Sequence, residues 1–193
     1  MLSVAHSTPA VRLAELDELT LLRAIRGERE ASRTLVELYQ VRVFALVSRM
    51  VSGRGRATVE DIAQDTFLHV FRQLPTFQPD GAARLSTWIL TIAARRAIDE
   101  LRRQRPELHA DIERTSEVRT DDRTTRRELA AAIEAALRDL SPELRAAFLL
   151  REYHELDYIE IARALAIDLG TVKSRRSRAR AALSERLAEV HHG

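Results

Sequence analysis

Cysteine is absent from this chain of 193 residues, which excludes disulfide bonds, thiolate catalysis and zinc sites built from cysteine. Glycine occurs only 6 times and aromatic residues make up 5% of the chain, so an all-β fold is disfavoured. No apolar run approaches the roughly 18 residues of a membrane span. Residues 1–14 lack the basic start and apolar stretch of a signal peptide. These absences predict a cytoplasmic protein.

The residues that are present favour helices. Hydrophobic residues make up 45% and charged residues 31% of the chain, and Ala, Leu, Arg and Glu dominate. The net charge is only +2, so the chain as a whole is not a polycation. Lys173 is the sole lysine. Arginine suits phosphate and guanine recognition, but GC-rich codon usage explains the bias equally well.

Apolar spacing divides the chain into two helical groups. We predict an all-α fold of two small domains joined by a flexible linker, because residues 107–125 are charged and have few large apolar side chains. In the first domain, Thr58 is predicted to cap a helix, with Asp61 as its capping-box acid. Ser141, followed by Pro142, is a second predicted helix start. The predicted segments are a tail (1–15), a first domain (16–106), the linker (107–125) and a second domain (126–193).

The segment from Tyr158 to Leu183 has the spacing of a helix-turn-helix. Ile161 and Leu165 lie on a short predicted helix, a turn spans 166–170, and Val172 begins a second helix. Between Lys173 and Arg180 there are five basic residues and no acidic one. Helical periodicity places Lys173, Ser174, Ser177 and Arg178 opposite the inward-facing residues, flanked by Arg175, Arg176 and Arg180. Such a helix fits the major groove, although a basic face alone is more often only a solvated one.

Several motifs resemble the extracytoplasmic-function sigma factors of bacterial RNA polymerase, and the resemblance covers nearly all of residues 16–188. Asp157 to Ala162, Gly170 to Arg175 and Arg178 to Arg180 are similar to region four, and Leu140 to Glu143 to its entry. In the first half, Glu60 to Phe67 resembles the polymerase-binding helix of region two, and Ser86 to Leu90 with Ala97 to Arg103 its promoter-reading helix. Two departures stand out: Ala94-Arg95-Arg96 differs from the family pattern, and Asp168 takes the place of a frequent turn proline.

The resemblance implies a role for each part. The first domain grips the β′ clamp coiled coil of core RNA polymerase and opens the −10 element, while the second reads the −35 element and touches the β flap. An anti-sigma factor is the further expected partner. The implied polymerase-binding residues are Asp61, Gln64 and Asp65. The implied −10 DNA-binding residues are Phe77, Gln78, Asp80, Arg95, Arg96, Asp99, Arg102 and Arg103. The implied −35 DNA-binding residues are Thr171, Lys173, Ser174, Arg175, Ser177, Arg178 and Arg180.

Spacing gives independent support to the polymerase-binding patch. Asp61, Gln64 and Asp65 fall at helical steps of three and four and so share one face, and an acidic patch beside apolar residues suits a basic partner helix. An ordinary solvated face has the same pattern. Trp88 is predicted to be a core residue rather than a stacking platform for a base.

Two other classes of function remain open from the residues alone. A response-regulator output domain or a dimeric repressor has a similar helix-turn-helix, but neither explains the first domain. A helical nuclease or hydrolase is disfavoured because the histidines, including His69, His109 and His154, show no metal-ligand spacing, and no phosphate-loop motif occurs. We therefore expect no catalytic activity, cofactor or metal.

Overall fold

The computed structural model of the chain describes residues 15–79, 81, 83–103 and 122–192, and every regular element in these ranges is helical. The prediction of an all-α fold is confirmed for this part of the chain. Residues 1–14 and 104–121, which include most of the predicted tail and linker, lie outside it. The elements are α1 (Glu18–Ile25), α2 (Arg29–Met50), α3 (Arg56–Gln73), a 3-10 turn (Leu74–Thr76), α4 (Leu85–Arg103), α5 (Asp122–Asp139), α6 (Pro142–Glu152), α7 (Tyr158–Leu165) and α8 (Leu169–His192).

Local chemistry sets most helix starts, and one predicted start is wrong. Asp17 caps α1 by accepting a hydrogen bond from the Thr20 N–H at 2.9 Å. Thr58 does not cap α3, which begins at Arg56 after an uncapped Gly55. Thr58 lies inside the first turn, where its N–H donates to the Gly55 carbonyl at 3.1 Å. The N-cap position is Gly55, whose backbone is extended, so the helix begins before Thr58. Because Thr58 is not the N-cap residue, Asp61 is not its capping-box acid either.

The first half is built around α2, against which α1, α3 and α4 all pack. Its buried side carries Leu35, Tyr39, Val43 and Leu46, which recur every three or four residues. α4 is buried around most of its circumference because α2, α3, α6 and α7 all contact it. This helix therefore links the two halves.

In the second half, α8 packs against α5, α6 and α7. The predicted start of α6 is confirmed: Ser141 accepts a hydrogen bond from the Leu144 N–H at 3.4 Å, and Pro142 occupies the first helical turn. α5 begins at Asp122, inside the segment predicted to be linker. The predicted boundary between linker and second domain at residue 126 therefore falls within a helix.

The two halves share one hydrophobic core, which runs from Leu21 in α1 to Leu183 in α8. At their contact, the buried guanidinium of Arg145 in α6 donates to the carbonyl of Met50 at the end of α2. It also donates to the carbonyls of Arg138 at 2.7 Å and Leu140 at 3.1 Å. Nearby, Thr87 in α4 donates to Glu160 in α7 at 2.9 Å. The described halves are thus joined by polar as well as apolar contacts.

Candidate DNA-binding and protein-binding surfaces

The turn between α7 and α8 is a compact helix-turn-helix. Asp157 and Glu160 form a reciprocal capping box at the start of α7. Ala166 ends the helix in the left-handed region (φ 53°), and the Ile167 N–H donates to the Ala162 carbonyl at 3.0 Å. α8 begins at Leu169, so Gly170 lies within its first turn rather than in the predicted turn. The reversal packs α8 against α7 and leaves Lys173 and Ser174, near the start of α8, exposed.

The two faces of α8 divide as helical periodicity predicts. Val172 and Ala179 are fully buried and Leu183 nearly so. Thr171 and Arg175 are half-buried. The exposed side carries Lys173, Ser174, Ser177, Arg178 and Arg180.

The cations of α8 differ in their partners. Arg176 is half-buried and pairs with Glu152 in α6 at 2.6 Å, and this hydrogen bond raises the pKa of Arg176 above its usual value. Lys173 lies 5.9 Å from the Tyr158 ring, and Arg178 reaches back to the Ser174 carbonyl at 3.4 Å. Within the described ranges, no ion pair engages Arg178 or Arg180. The exposed cations are therefore available to an anionic ligand, while Arg176 ties α8 to α6.

A second exposed surface is the ridge of α3 that carries Asp61, Gln64 and Asp65, all three exposed. On one side of the ridge, Gln64 lines an apolar groove between α2 and α3. On the other, Asp61 and Asp65 line a charged cleft between α3 and α4. The groove is lined by Val36, Gln40, Phe44, Glu60, Ala63, Gln64, Phe67, Leu68 and Phe71. Its Phe44 and Leu68 are 38% and 48% exposed, which is high for such large apolar side chains.

α4 presents a charged surface whose members are mostly paired. Arg96 lies 3.6 Å from Asp65 and 3.2 Å from the ring nitrogen of His69. Arg102 pairs with Glu143 of α6 at 2.6 Å, and Arg103 with Glu100 at 2.7 Å. Arg95 and Asp99 are exposed, whereas Ala94, in the segment that departs from the family pattern, is fully buried and unavailable to a ligand.

The loop before α4 begins at Phe77, which contacts Trp88 in α4. The Phe77 and Trp88 rings lie 5.1 Å apart, and both residues pack against the core. Trp88 is thus half-buried, as predicted for a core residue. Gln78 is exposed, and its carbonyl accepts a hydrogen bond from the Gly81 N–H at 3.0 Å. Asp80, which was also predicted to contribute here, lies outside the described residues.

Sequence reasoning missed Arg145, Glu15 and the pair Thr87–Glu160. Glu15 accepts hydrogen bonds from the backbone and hydroxyl of Ser86, 71 residues away. Thr87 and Glu160 are separated by 73 residues. Helical periodicity relates only residues within a few turns, so it carries no signal for such contacts. The described residues contain no cluster that could hold a metal ion and no helix able to cross a membrane.

Two family models match the chain. Sigma-70 region 2 matches residues 35–107, which include α3 and α4, and Sigma-70 region 4 matches residues 130–183, which include the helix-turn-helix. The region 2 match therefore contains the α3 ridge and the charged surface of α4, and the region 4 match contains the exposed cations of α8.

Curated relatives point to the same family, and a solved structure has a similar fold. The chain is 29% identical over 178 residues to the ECF RNA polymerase sigma factor SigW of Bacillus subtilis, covering 86% of this chain and 93% of the relative. It is 31% identical over 186 residues to the RNA polymerase sigma-H factor of Pseudomonas aeruginosa, covering 90% and 94%. The fold resembles that of the sigma factor RpoE, solved in complex with the anti-sigma factor NepR from Bartonella quintana. That likeness has a TM-score of 0.62 at 22% identity and covers 81% of this chain and 96% of the other.

Proposed function

The chain belongs to the extracytoplasmic-function sigma factors, which bind RNA polymerase and direct promoter-specific initiation of transcription, and from that premise we propose a role for each exposed surface. The helix α3 docks on the β′ clamp coiled coil of the polymerase. α4 and the loop before it open the −10 element, and α8 reads the −35 element while the second half touches the β flap. The protein acts beside the chromosome in the cytoplasm and catalyses no reaction of its own.

The single observation that carries the docking surface is the apolar groove beside the α3 ridge. Phe44 and Leu68 are exposed there, next to Gln64, while Asp61 and Asp65 line the other flank. Protein interfaces combine an apolar centre with a polar rim. A basic coiled coil bearing apolar residues complements both parts, since the acidic side chains steer it and the groove accepts its apolar side chains.

Charge reversal at Asp61 tests the docking surface. Asp61 is preferred to Asp65 for this test. Asp65 lies 3.6 Å from Arg96, so replacing Asp65 would also disturb a contact within the chain. Asp61→Arg sets like charges together across the interface and should weaken binding to core polymerase by at least tenfold, a cost of about 1.4 kcal/mol or more. Fluorescence anisotropy of labelled protein titrated with core polymerase measures this, with run-off transcription as the functional readout.

The matched control is Glu30→Arg, which makes the same change at an exposed acid in the first turn of α2. Circular dichroism melts should show that both variants fold. Core binding should remain unchanged in the control. Equal affinities for the two variants would mean that the first half docks through a different surface.

For −35 recognition, the proposed residues are Thr171, Lys173, Ser174, Arg175, Ser177, Arg178 and Arg180. The exposed small hydroxyl side chains of Ser174 and Ser177 let the helix approach base edges closely, while neighbouring cations neutralise phosphates. Arg178 is exposed, and its guanidinium contacts the carbonyl and hydroxyl of Ser174 one turn earlier. It therefore lies on the same face as the serines and is the proposed base-reading arginine.

For the −10 element, the proposed residues are Phe77, Gln78, Asp80, Arg95, Arg96, Asp99, Arg102 and Arg103. The side chains of Arg95 and Asp99 are exposed in the structure. Arg102 must leave Glu143 to reach DNA; Arg102 is exposed and Glu143 is half-buried, so such a surface pair is worth about 1 kcal/mol and phosphate can compete for the arginine.

An anti-sigma factor is the other proposed partner. The solved structure with a similar fold is a sigma factor bound to an anti-sigma factor. In the present chain, the exposed groove at Phe44 and Leu68 offers an apolar helix a place to bind. Such a partner would compete with the polymerase clamp for the same surface.

A further inference from the structure

The end of the amino-terminal segment is tied to the start of α4 by a hydrogen-bond network around Glu15. One carboxylate oxygen of Glu15 accepts from the Ser86 hydroxyl. The other accepts from the Ser86 backbone N–H at 3.2 Å and from the Tyr39 hydroxyl at 3.1 Å. The Tyr39 oxygen in turn accepts from the Leu16 N–H at 3.0 Å. Tyr39 and Ser86 are both buried, whereas Glu15 itself is exposed, so the network joins a surface carboxylate to two buried groups.

The network supplies a cap that α4 lacks in its own sequence. The Arg84 carbonyl accepts the first hydrogen bond of the helix, from the Trp88 N–H at 3.0 Å, which makes Arg84 the N-cap residue. An arginine side chain has no acceptor and cannot satisfy the free N–H groups of the first turn. Ser86 carries one of these N–H groups, and Glu15 accepts from it. The negative charge of Glu15 also favours the positive end of the helix dipole.

Tyr39 keeps the network fixed. Burial raises the pKa of Tyr39 well above its usual value, so the phenol stays protonated and donates to Glu15 throughout the physiological range. The ring itself is packed in the core on α2. The carboxylate that caps α4 is therefore held from a rigid helix rather than by its own segment alone.

The capped end of α4 is the point at which the loop 77–84 enters the helix. The other end of this loop is held by the contact between Phe77 and Trp88. We propose that Glu15 is a positioning residue for promoter opening: it caps α4 from a distance and so holds the first turn of α4, at Ser86 and Thr87, in place for binding of the −10 strand, without touching DNA. This inference rests on the proposed role of α4 and its loop at the −10 element.

The test uses holoenzyme reconstituted with core polymerase. The readouts are the binding of a fluorescent single-stranded −10 oligonucleotide and the permanganate reactivity of the opened promoter. Glu15→Ala should reduce both by roughly tenfold, as expected for the loss of hydrogen bonds to a charged acceptor. Core binding and duplex −35 binding should not change. Glu18→Ala, at an exposed acid that begins α1, is the matched control.

A second-site variant separates capping from a general loss of stability. Arg84→Ser gives α4 an N-cap side chain of its own. In the Glu15→Ala background it should restore −10 strand binding to the level of Arg84→Ser alone. A double variant that stays as defective as Glu15→Ala, while Arg84→Ser alone is active, overturns the proposal.

Arg95→Ala distinguishes this failure from failure of the proposed function. If Arg95→Ala weakens −10 binding and Glu15→Ala does not, the role of Glu15 is wrong and that of α4 stands. If neither variant alters −10 binding, α4 is not the −10 surface and both assignments fall.

Discussion

His154 is a buried side chain whose charge state is coupled to folding. It is 6% exposed, and burial together with the nearby Arg49 and Arg42 lowers the pKa of His154 from 6.5 to about 4. The unfolded chain takes up the proton below about pH 6.5, whereas the folded protein resists it until about pH 4. The stability contributed by neutral His154 is therefore complete above pH 6.5 and is lost as the pH falls toward 4.

This linkage predicts that the free energy of unfolding falls by about 2 kcal/mol between pH 7 and about pH 5. Urea unfolding at both pH values measures it. His154→Gln should remove most of this dependence, because glutamine does not titrate. His69→Gln, at a half-exposed histidine of α3, is the control and should keep it. If His154→Gln kept the full pH dependence, other groups would be responsible.

Two arginines of α8 are predicted to differ in the information they read. Arg178→Ala should cost about 1–3 kcal/mol at the specific promoter and relax preference at one −35 position, because it removes a base-edge contact. Arg180→Ala should weaken binding to all sequences alike and reduce the salt slope by about 1, because a phosphate contact carries no sequence information. Binding titrations of both variants on a panel of −35 duplexes at several salt concentrations measure this. Equal, sequence-independent losses would contradict the assignment of the face.

At the scale of the element, the capping box of α7 determines how firmly the helix-turn-helix is built. Asp157 accepts from the Glu160 N–H at 2.8 Å, and the Glu160 carboxylate accepts from the Asp157 N–H at 2.9 Å. Asp157→Ala removes half of this exchange from a helix of only 8 residues. The expected loss is about 1 kcal/mol, seen as a fall in Tm of several degrees.

The control is Glu185→Ala, in which an exposed acid in the interior of α8 is replaced. Alanine favours a helix interior, so this variant should melt at or slightly above the wild-type temperature. Both melts are followed by circular dichroism at 222 nm, a helix signal. Unchanged melting of Asp157→Ala would show that packing against α8 alone holds α7.

At the scale of the whole molecule, Arg145 joins the halves. Its guanidinium donates to the carbonyls of Met50, Arg138 and Leu140, and burial lowers its pKa from the usual arginine value to about 10, which leaves it charged at neutral pH. Arg145→Met keeps much of the side-chain volume but leaves buried carbonyls without donors. The expected loss of unfolding free energy is about 2–4 kcal/mol.

Arg180→Met is the matched control, since the same substitution at an exposed position of α8 leaves no buried group unpaired. Urea unfolding compares the two variants. In Arg145→Met, backbone hydrogen exchange should also increase at the end of α2. The Met50 carbonyl there has lost the guanidinium of Arg145 as its donor. If exchange rose only within α5 and α6, the bond to Met50 would not join the halves.

Prediction from sequence succeeded where short-range periodicity decides the outcome. The inward positions Val172, Ala179 and Leu183 and the exposed positions Lys173 and Arg178 follow from a repeat of 3.6 residues, and the structure agrees. The start of α6 at Ser141-Pro142 likewise depends on adjacent residues. Thr58 failed as a cap because α3 begins at Arg56, two residues earlier, which places Thr58 inside the first turn.

The sequence by itself determined the helical class, the order of the helices, the two faces of α8 and the motifs that place the chain among the sigma factors. Each of these is written in residues a few turns apart, or in the types and order of residues. Only the tertiary structure decided that Glu15 caps α4 and that Arg145 bridges α2 and α6. It also decided that Gln64 faces an apolar groove, while Asp65 faces Arg96. Those contacts join residues that lie 20 or more positions apart in the chain and depend on how whole helices pack, and a pattern that repeats every few residues does not encode which distant helix will lie beside it.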